Sequence, residues 1–391
     1  MTGNLRTSQQ SPIDLVIHSA RLVSGGTVTT DAFVAFAGNT VAAVGTGADW
    51  TQLDAVEAFD ADGLTLTPGF IDIHGHGGNA CSFDDGADSI RSALQVHRAH
   101  GTTRSVLSLV TASVDDLVDR VGVIADLAEA DPTILGSHLE GPYLDVGHQG
   151  AHDPQHLHSP DPQSIERLVG AARGTLRQIT LAPELPGGLE AIRQFVESGV
   201  VVAVGHTNTD FEGALQAFAA GASILTHAFN AMNGIHHRAP GPVLAAAASS
   251  GVTLEIINDG VHVHADVVRL AFAAAPGRIA LITDAMAAAG SDDGIYQLGS
   301  LSVTVTDGVA RLTEGDSIAG STLTLDEALR RAVRDVGIPL TDAITALTTT
   351  PARAIGRADD LGQLVPGFGA DAVLLDENLN VVAVWAAGAR I

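Results

Sequence analysis

From Pro68 onward the chain repeats one unit: a short apolar run, a loop, then an amphipathic stretch. The apolar runs fall at 69–74, 103–110, 134–139, 178–182, 200–205, 223–227, 253–258 and 279–283. Between them lie stretches with helical spacing of apolar residues, such as 89–100, 114–129, 189–198, 211–220 and 265–275. Strands joined by helices run parallel, because a parallel pair needs a crossover of that length. Eight such units predict an α/β fold, a closed (β/α)8 TIM barrel. An open doubly wound sheet is the alternative, but no Gly-x-Gly-x-x-Gly turn follows the first run.

The flanks have another rhythm. Short β-rich pieces at 15–17, 32–37 and 41–44 are separated by Gly25-Gly26, Gly38-Asn39 and Gly45. After the eighth run, 296–312 has β patterning with a turn at Asp307-Gly308, and 325–336 and 341–348 read as helical. The tail returns to strands at 372–375 and 381–384. These ends predict one small β-sandwich domain, 1–66 with 357–391, beside a barrel at 67–356.

Charge and composition narrow the partners. A net charge of −25 argues against nucleic acid and anionic membranes. The longest alanine-rich stretch, from Leu270, is cut by Pro276, Arg278 and Asp284, so no apolar run spans a bilayer. Residues 1–12 are polar, with no signal-peptide core. A single cysteine, Cys81, excludes an internal disulfide, fits the cytoplasm and reads as a small apolar filler. All 20 basic residues are arginine. That excludes a Schiff-base lysine, a P-loop lysine and a carbamylated lysine, and gives each arginine weight as an anion binder.

In such barrels, active sites form where the strands end. Asp72, His74 and His76 alternate along the first run and so share a face, with Asp72 placed to orient the rings. Glu140 ends the third run, with His138 beside it; His206 ends the fifth, His227 the sixth and Asp284 the eighth. Any one of these reads as a satisfied histidine or a capping acid. Several at one rim favour a metal site, with His74, His76, Glu140, His206 and His227 as ligand types. Asp284 is placed to take a proton from an attacking water. His138 fits a place behind the ligands and a satisfied core histidine equally well. Glu184 reads as a helix cap, His97 and His100 as solvated, His156 and His158 as loop surface, and His264 as a helix start.

These motifs resemble the amidohydrolase superfamily, and within it the N-acetylglucosamine-6-phosphate deacetylases. The superfamily part is the His-x-His run and the last aspartate. The narrower part is His138-Leu139-Glu140-Gly141-Pro142, Gly150-Ala151-His152-Asp153-Pro154, His227-Ala228-Phe229-Asn230-Ala231, Thr283-Asp284-Ala285-Met286 and Ala319-Gly320-Ser321, within a match covering 68–371. The resemblance implies hydrolysis of an acetamide on a phosphorylated amino sugar. It implies that Glu140, His206 and His227 are core ligands and that Asp284 is general base, then general acid. It puts His152 near the acetyl carbonyl and the phosphate on Asn230, Ala231 (through its backbone nitrogen), Arg238 and His262. It also implies a homodimer. His148 and Gln149 stand where the family often carries basic residues before a glycine, in a loop expected to act as a lid. With no lysine to bridge two ions, Glu140 is expected to do so, Asp284 completing a site for two divalent ions per chain, zinc favoured over iron, manganese or cobalt. The rival expectations are a nucleobase deaminase or cyclic-amide hydrolase on the same barrel, and a catalytically dead scaffold.

Overall fold

The eight barrel strands are short, and each is buried. In the computed structural model, which describes residues 12–315 and 317–391, they are Phe70–Asp72, Thr102–Val110, Ile134–Glu140, Leu176–Leu181, Val201–Val204, Ile224–Leu225, Thr253–Ile257 and Ile279–Ile282. They hydrogen-bond in sequence order, all parallel. The expectation about the polar N-terminal stretch falls outside the described residues except at Pro12. The strands read as near-continuous apolar runs because both faces are covered. Val202 and Val204 pack with the outer helices, whereas Ala203 joins Ile71, Val106, Ile224 and Ile282 in the interior.

Helices Ala87–Ala99, Val114–Ala130, Gly188–Glu197, Phe211–Ala219 and Ala265–Ala274 occupy the predicted stretches. Ser113, Asp210 and His264 cap three of them through side-chain acceptors. Pro162–Ala172 and Gly241–Ala248 add two more helices to the outer layer, and Leu325–Arg331, Leu340–Leu347 and Thr349–Ala354 follow the eighth strand. Asp161 and Pro162 start the first of these as an N-cap followed by proline at the first turn.

The seam between the eighth and first strands decides where the site sits. There Asp284 N donates to His74 O at 2.8 Å and His76 N to Ala285 O at 2.7 Å. Thr283 Oγ1 donates to Asp72 at 2.6 Å. The loop after the first strand is thus fastened to the loop after the last. The barrel nearly closes where the sequence concentrates its histidines.

Both termini build a separate mixed sheet. Its order is Ala389–Arg390, Val381–Ala386, Ala372–Leu375, Thr65–Pro68, Ile13–Ser24, Thr27–Ala37 and Thr40–Thr46, with Ala55–Asp60 also paired to Ile13–Ser24. Leu15, Ile17, Val34, Phe36, Leu66 and Trp385 form its own core. A buried ion pair, Arg104 Nε to Asp371 Oδ2 at 2.7 Å, ties it to the second barrel strand. The segment after the eighth strand forms a three-stranded antiparallel sheet, Gly294–Leu298, Leu301–Thr306 and Val309–Leu312. Asp307 and Gly308, both at positive φ, make its second turn. Among the described residues, no helix is long and apolar enough to cross a membrane.

Candidate active site

Most of the candidate ligands lie just beyond the strands. The first strand ends at Asp72 and the sixth at Leu225, so His74, His76 and His227 sit on loops rather than on strand faces. His206, His227 and Asp284 have φ of 46°, 26° and 48°, a region that non-glycine residues seldom occupy. Backbone bonds hold them there. Asp145 N donates to His206 O at 2.9 Å, Ala228 N to Glu255 O at 2.8 Å and Ser321 N to Asp284 O at 2.7 Å.

Glu140 is the centre of the cluster. Its Oε1 lies 3.0 Å from His206 Nε2 and 3.1 Å from His227 Nε2; its Oε2 lies 3.1 Å from His76 Nε2 and 3.3 Å from His152 Nε2. Asp284 Oδ1 faces His76 Nε2 at 3.4 Å and His74 Nε2 at 3.6 Å. All of these residues are buried.

The tautomers show what the cluster holds. His206 Nδ1 lies 2.8 Å from the carbonyl of His148, which can only accept, so the proton is on Nδ1. In the neutral ring the Nε2 lone pair then faces Glu140, and His227 Nε2 as well at 3.0 Å. His74 repeats the pattern: Nδ1 faces Glu255 Oε2 at 3.1 Å, and Nε2 has no hydrogen-bond partner among the described residues. Lone pairs converging on a carboxylate need a cation between them. The buried His/Glu/Asp group therefore fits a metal ion, with His74, His76, Glu140 and Asp284 forming one four-residue set.

Without an ion, protons supply the positive charge. Burial opposes a charge on His76, but Asp284 and Glu140 outweigh it and lift the imidazole to about 9. Burial likewise opposes ionisation of Asp284, yet His74 and His76 carry it down to about 2. Burial takes His152 down to about 4, so it is neutral. Ion binding near neutral pH should therefore release protons, and its apparent affinity should climb until the pH passes about 9. Calorimetry in buffers of differing ionisation enthalpy reads that release; binding indifferent to pH would contradict it.

The cluster opens into a cavity of about 490 Å³. His152, Asn230, Ala231 and His262 line it, as do His148 and Arg311. Burial works against a charge on His262, but Asp259 at 2.7 Å from Nδ1 raises its pKa, so the ring carries positive charge toward the cavity more readily.

The chain matches the amidohydrolase family over residues 65–391. The chain belongs to the amidohydrolase family. A solved structure of an N-acetyl-D-glucosamine-6-phosphate deacetylase variant from Mycobacterium smegmatis, in complex with N-acetyl-D-glucosamine-6-phosphate, is 42% identical. It superposes with a TM-score of 0.91, covering 96% of this chain and 98% of that one. An N-acetylgalactosamine-6-phosphate deacetylase of Escherichia coli O157:H7 is 37% identical, covering 85% of this chain and 89% of its own. An N-acetylglucosamine-6-phosphate deacetylase of Vibrio furnissii is 34% identical, covering 86% and 87%.

Several residues of this amidohydrolase lie elsewhere than the sequence implied. Arg238 is exposed, bonds His237 at 2.6 Å, and is missing from the described residues lining the cavity. Its loop turns outward, with His236 and Ala239 bonding each other. His97 is buried rather than solvated, because Nε2 donates to Gly77 O at 2.8 Å. Glu184 caps no helix; it accepts from Thr207 Oγ1 and Asn208 N and so braces the loop after His206. Asp72 bonds His74 N and Thr283 but not the His74 ring. His138 is a satisfied buried histidine, between Ser108 at 2.8 Å and Thr180 at 2.9 Å. The loop of His148 is tied to His206 by two bonds, so it packs over that residue. Arg311, in the inserted sheet, was missed because nothing local marks a strand arginine as lining a distant cavity.

Proposed function

We propose that the protein hydrolyses the acetamide of N-acetyl-D-glucosamine 6-phosphate to D-glucosamine 6-phosphate and acetate. The observation that carries this is Glu140 ringed by imidazoles, with Asp284 at the same spot, on the floor of a cavity that also presents His262. His74, His76, Glu140, His206, His227 and Asp284 would hold the divalent metal, which would supply Lewis acidity, making water more acidic and an acetyl carbonyl more electrophilic. Asp284, ionised, takes the proton of the attacking water and returns it to the leaving amine. Neutral His152 donates a hydrogen bond to the acetyl oxygen, on which charge develops. Asn230, the backbone nitrogen of Ala231 and His262 receive the phosphate.

Acetate release from the phosphorylated sugar, its C4 epimer and the unphosphorylated sugar tests this. The expected order puts the phosphorylated glucosamine derivative first. Because relatives act on either epimer by name, the ratio of kcat/KM for the two fixes the C4 preference. Equal rates with and without phosphate, or hydrolysis of a cyclic amide instead, would overturn the reading.

The proposed protein is cytoplasmic, in keeping with its single cysteine, and homodimeric. Arg238 lies outside its own cavity, and exposed Ile235 and Val261 flank Arg238 and His262 in the chain. A second chain gives Arg238 a route to a phosphate. Arg238→Ala should raise KM for the phosphorylated sugar by about 10–100-fold, the scale of a lost charge-assisted bond, and leave the free sugar unaffected. Equal losses on both would make Arg238 structural.

The proposed complement is two ions per chain, with zinc suiting the imidazole-rich donors. Glu140 offers two oxygens to the cluster, Oε1 toward His206, His227 and His74, Oε2 toward His76. Protein loaded with excess zinc and desalted should carry two ions, and the His74→Ala/His76→Ala double variant one. A parent that never exceeds one ion would end the binuclear reading.

A further inference from the structure

One buried carboxylate has no part in the chemistry above. Glu255 lies in the strand Thr253–Ile257, between Leu254 and Ile256, and is fully buried. A buried carboxylate is costly unless its oxygens are met by donors. Gln178 Nε2 donates to Oε1 at 2.8 Å. On the other side, Oε2 lies 3.1 Å from His74 Nδ1 and accepts from the backbone nitrogen of His227 at 3.4 Å. The backbone carbonyl of Glu255 also accepts from Ala228 N. One residue thus grips both the His74 ring and the loop of His227.

The consequence for His74 is specific. An ionised carboxylate only accepts, so the imidazole proton stays on Nδ1 and the Nε2 lone pair faces Asp284 and Glu140. The ring plane is fixed with it. His76 has no such support, since its Nδ1 lacks a hydrogen-bond partner among the described residues. Asp72 reaches only the backbone of His74. Orientation of the His74 ring therefore falls on Glu255.

We propose that Glu255 is the positioning residue of the His74/His76 ion site: by holding His74 with Nε2 presented, it sets whether the second ion stays bound. This rests on the two-ion reading. Glu255 does not touch substrate, and its effect passes through His74.

The test compares Glu255→Leu, Glu255→Gln, His74→Ala and the Glu255→Leu/His74→Ala double variant with the parent. Each is loaded with zinc, desalted and analysed for metal per chain, then titrated against a chelator. Cobalt-loaded samples give visible spectra of the ligand field, and circular dichroism checks the fold. The parent should hold two ions. Glu255→Leu should keep one and bind the second about 10–100-fold more weakly, the range for losing a residue that orients a ligand. Glu255→Gln should fall between, because its amide oxygen still accepts from Nδ1, and its NH₂ meets Gln178 Oε1, which has no partner among the described residues, once that amide turns over. The double variant should lose no more than His74→Ala alone. A parent with two ions and a Glu255→Leu variant that matches it in count, affinity and cobalt spectrum overturns the proposal. If Glu255→Leu does not fold, a Glu255→Gln variant identical to the parent does the same. A parent with one ion instead overturns the two-ion reading itself.

Discussion

Asp284→Asn is expected to lose about 10²–10⁴-fold in kcat, the usual cost of a missing general acid–base, while KM changes little. The geometry makes the substitution clean. Asp284 is buried, and its backbone is clamped on both sides, donating to His74 O and accepting from Ser321 N. Asparagine keeps the shape and one oxygen toward His74 and His76. It lacks the ability to hold the proton between water and amine. Burial would favour the neutral acid, but His74 and His76 hold the carboxyl at about 2. Metal analysis should find ions still bound, since Glu140 and the histidines remain. Near-normal turnover would remove Asp284 from the proton's path.

The frame of this fold was written in local pattern. Apolar runs with helices between them specify a parallel barrel, because each run must be covered on both faces. The strands at both ends were also visible, and the pairing of Ala372–Leu375 with Thr65–Pro68 joins them. Local pattern does not say where a strand stops. His74, His76 and His227 looked like strand residues, yet they lie on loops whose shape comes from bonds between distant segments, such as Asp284 N to His74 O. The same limit hid His97. Its helical spacing read as surface, but the helix Ala87–Ala99 meets the Gly77–Ser82 turn, where Gly78 allows close approach because a Cβ there would lie 3.1 Å from His97 Nε2 and 3.3 Å from Ala93 O. Glu255 did leave a trace, a lone acid inside an apolar strand. Its meaning depends on His74, 181 residues away, and no periodicity encodes that. Arg238 shows another limit: a motif position placed it with a phosphate, and its loop turns it away from the cavity of its own chain.

Glu140→Gln should empty the metal site altogether, in contrast to the double histidine variant, which should keep one ion. The reason is the sharing of one carboxylate. His206, His227 and His74 face Oε1, and His76 and His152 face Oε2, so a single negative charge serves every imidazole in the cluster. The histidines around it, His74 foremost, overcome burial and hold its carboxyl well below the usual range. Glutamine has nearly the same volume. Its amide oxygen is a weaker ligand, and its NH₂ donates to the imidazole lone pairs that would otherwise receive an ion. The variant should therefore fold, with its lone pairs satisfied by hydrogen bonds rather than by metal. Two readings follow. Metal content after loading and desalting should be near zero. The parent's Tm should rise with added zinc, by about 4 kcal/mol of stability when the free ion exceeds Kd a thousandfold, and the variant's should not move. Acetate release should fall with the metal. A Glu140→Gln protein that still carries the parent's ions, or whose Tm climbs with zinc as the parent's does, would show that the imidazoles suffice and that Glu140 is not the residue on which both ions depend.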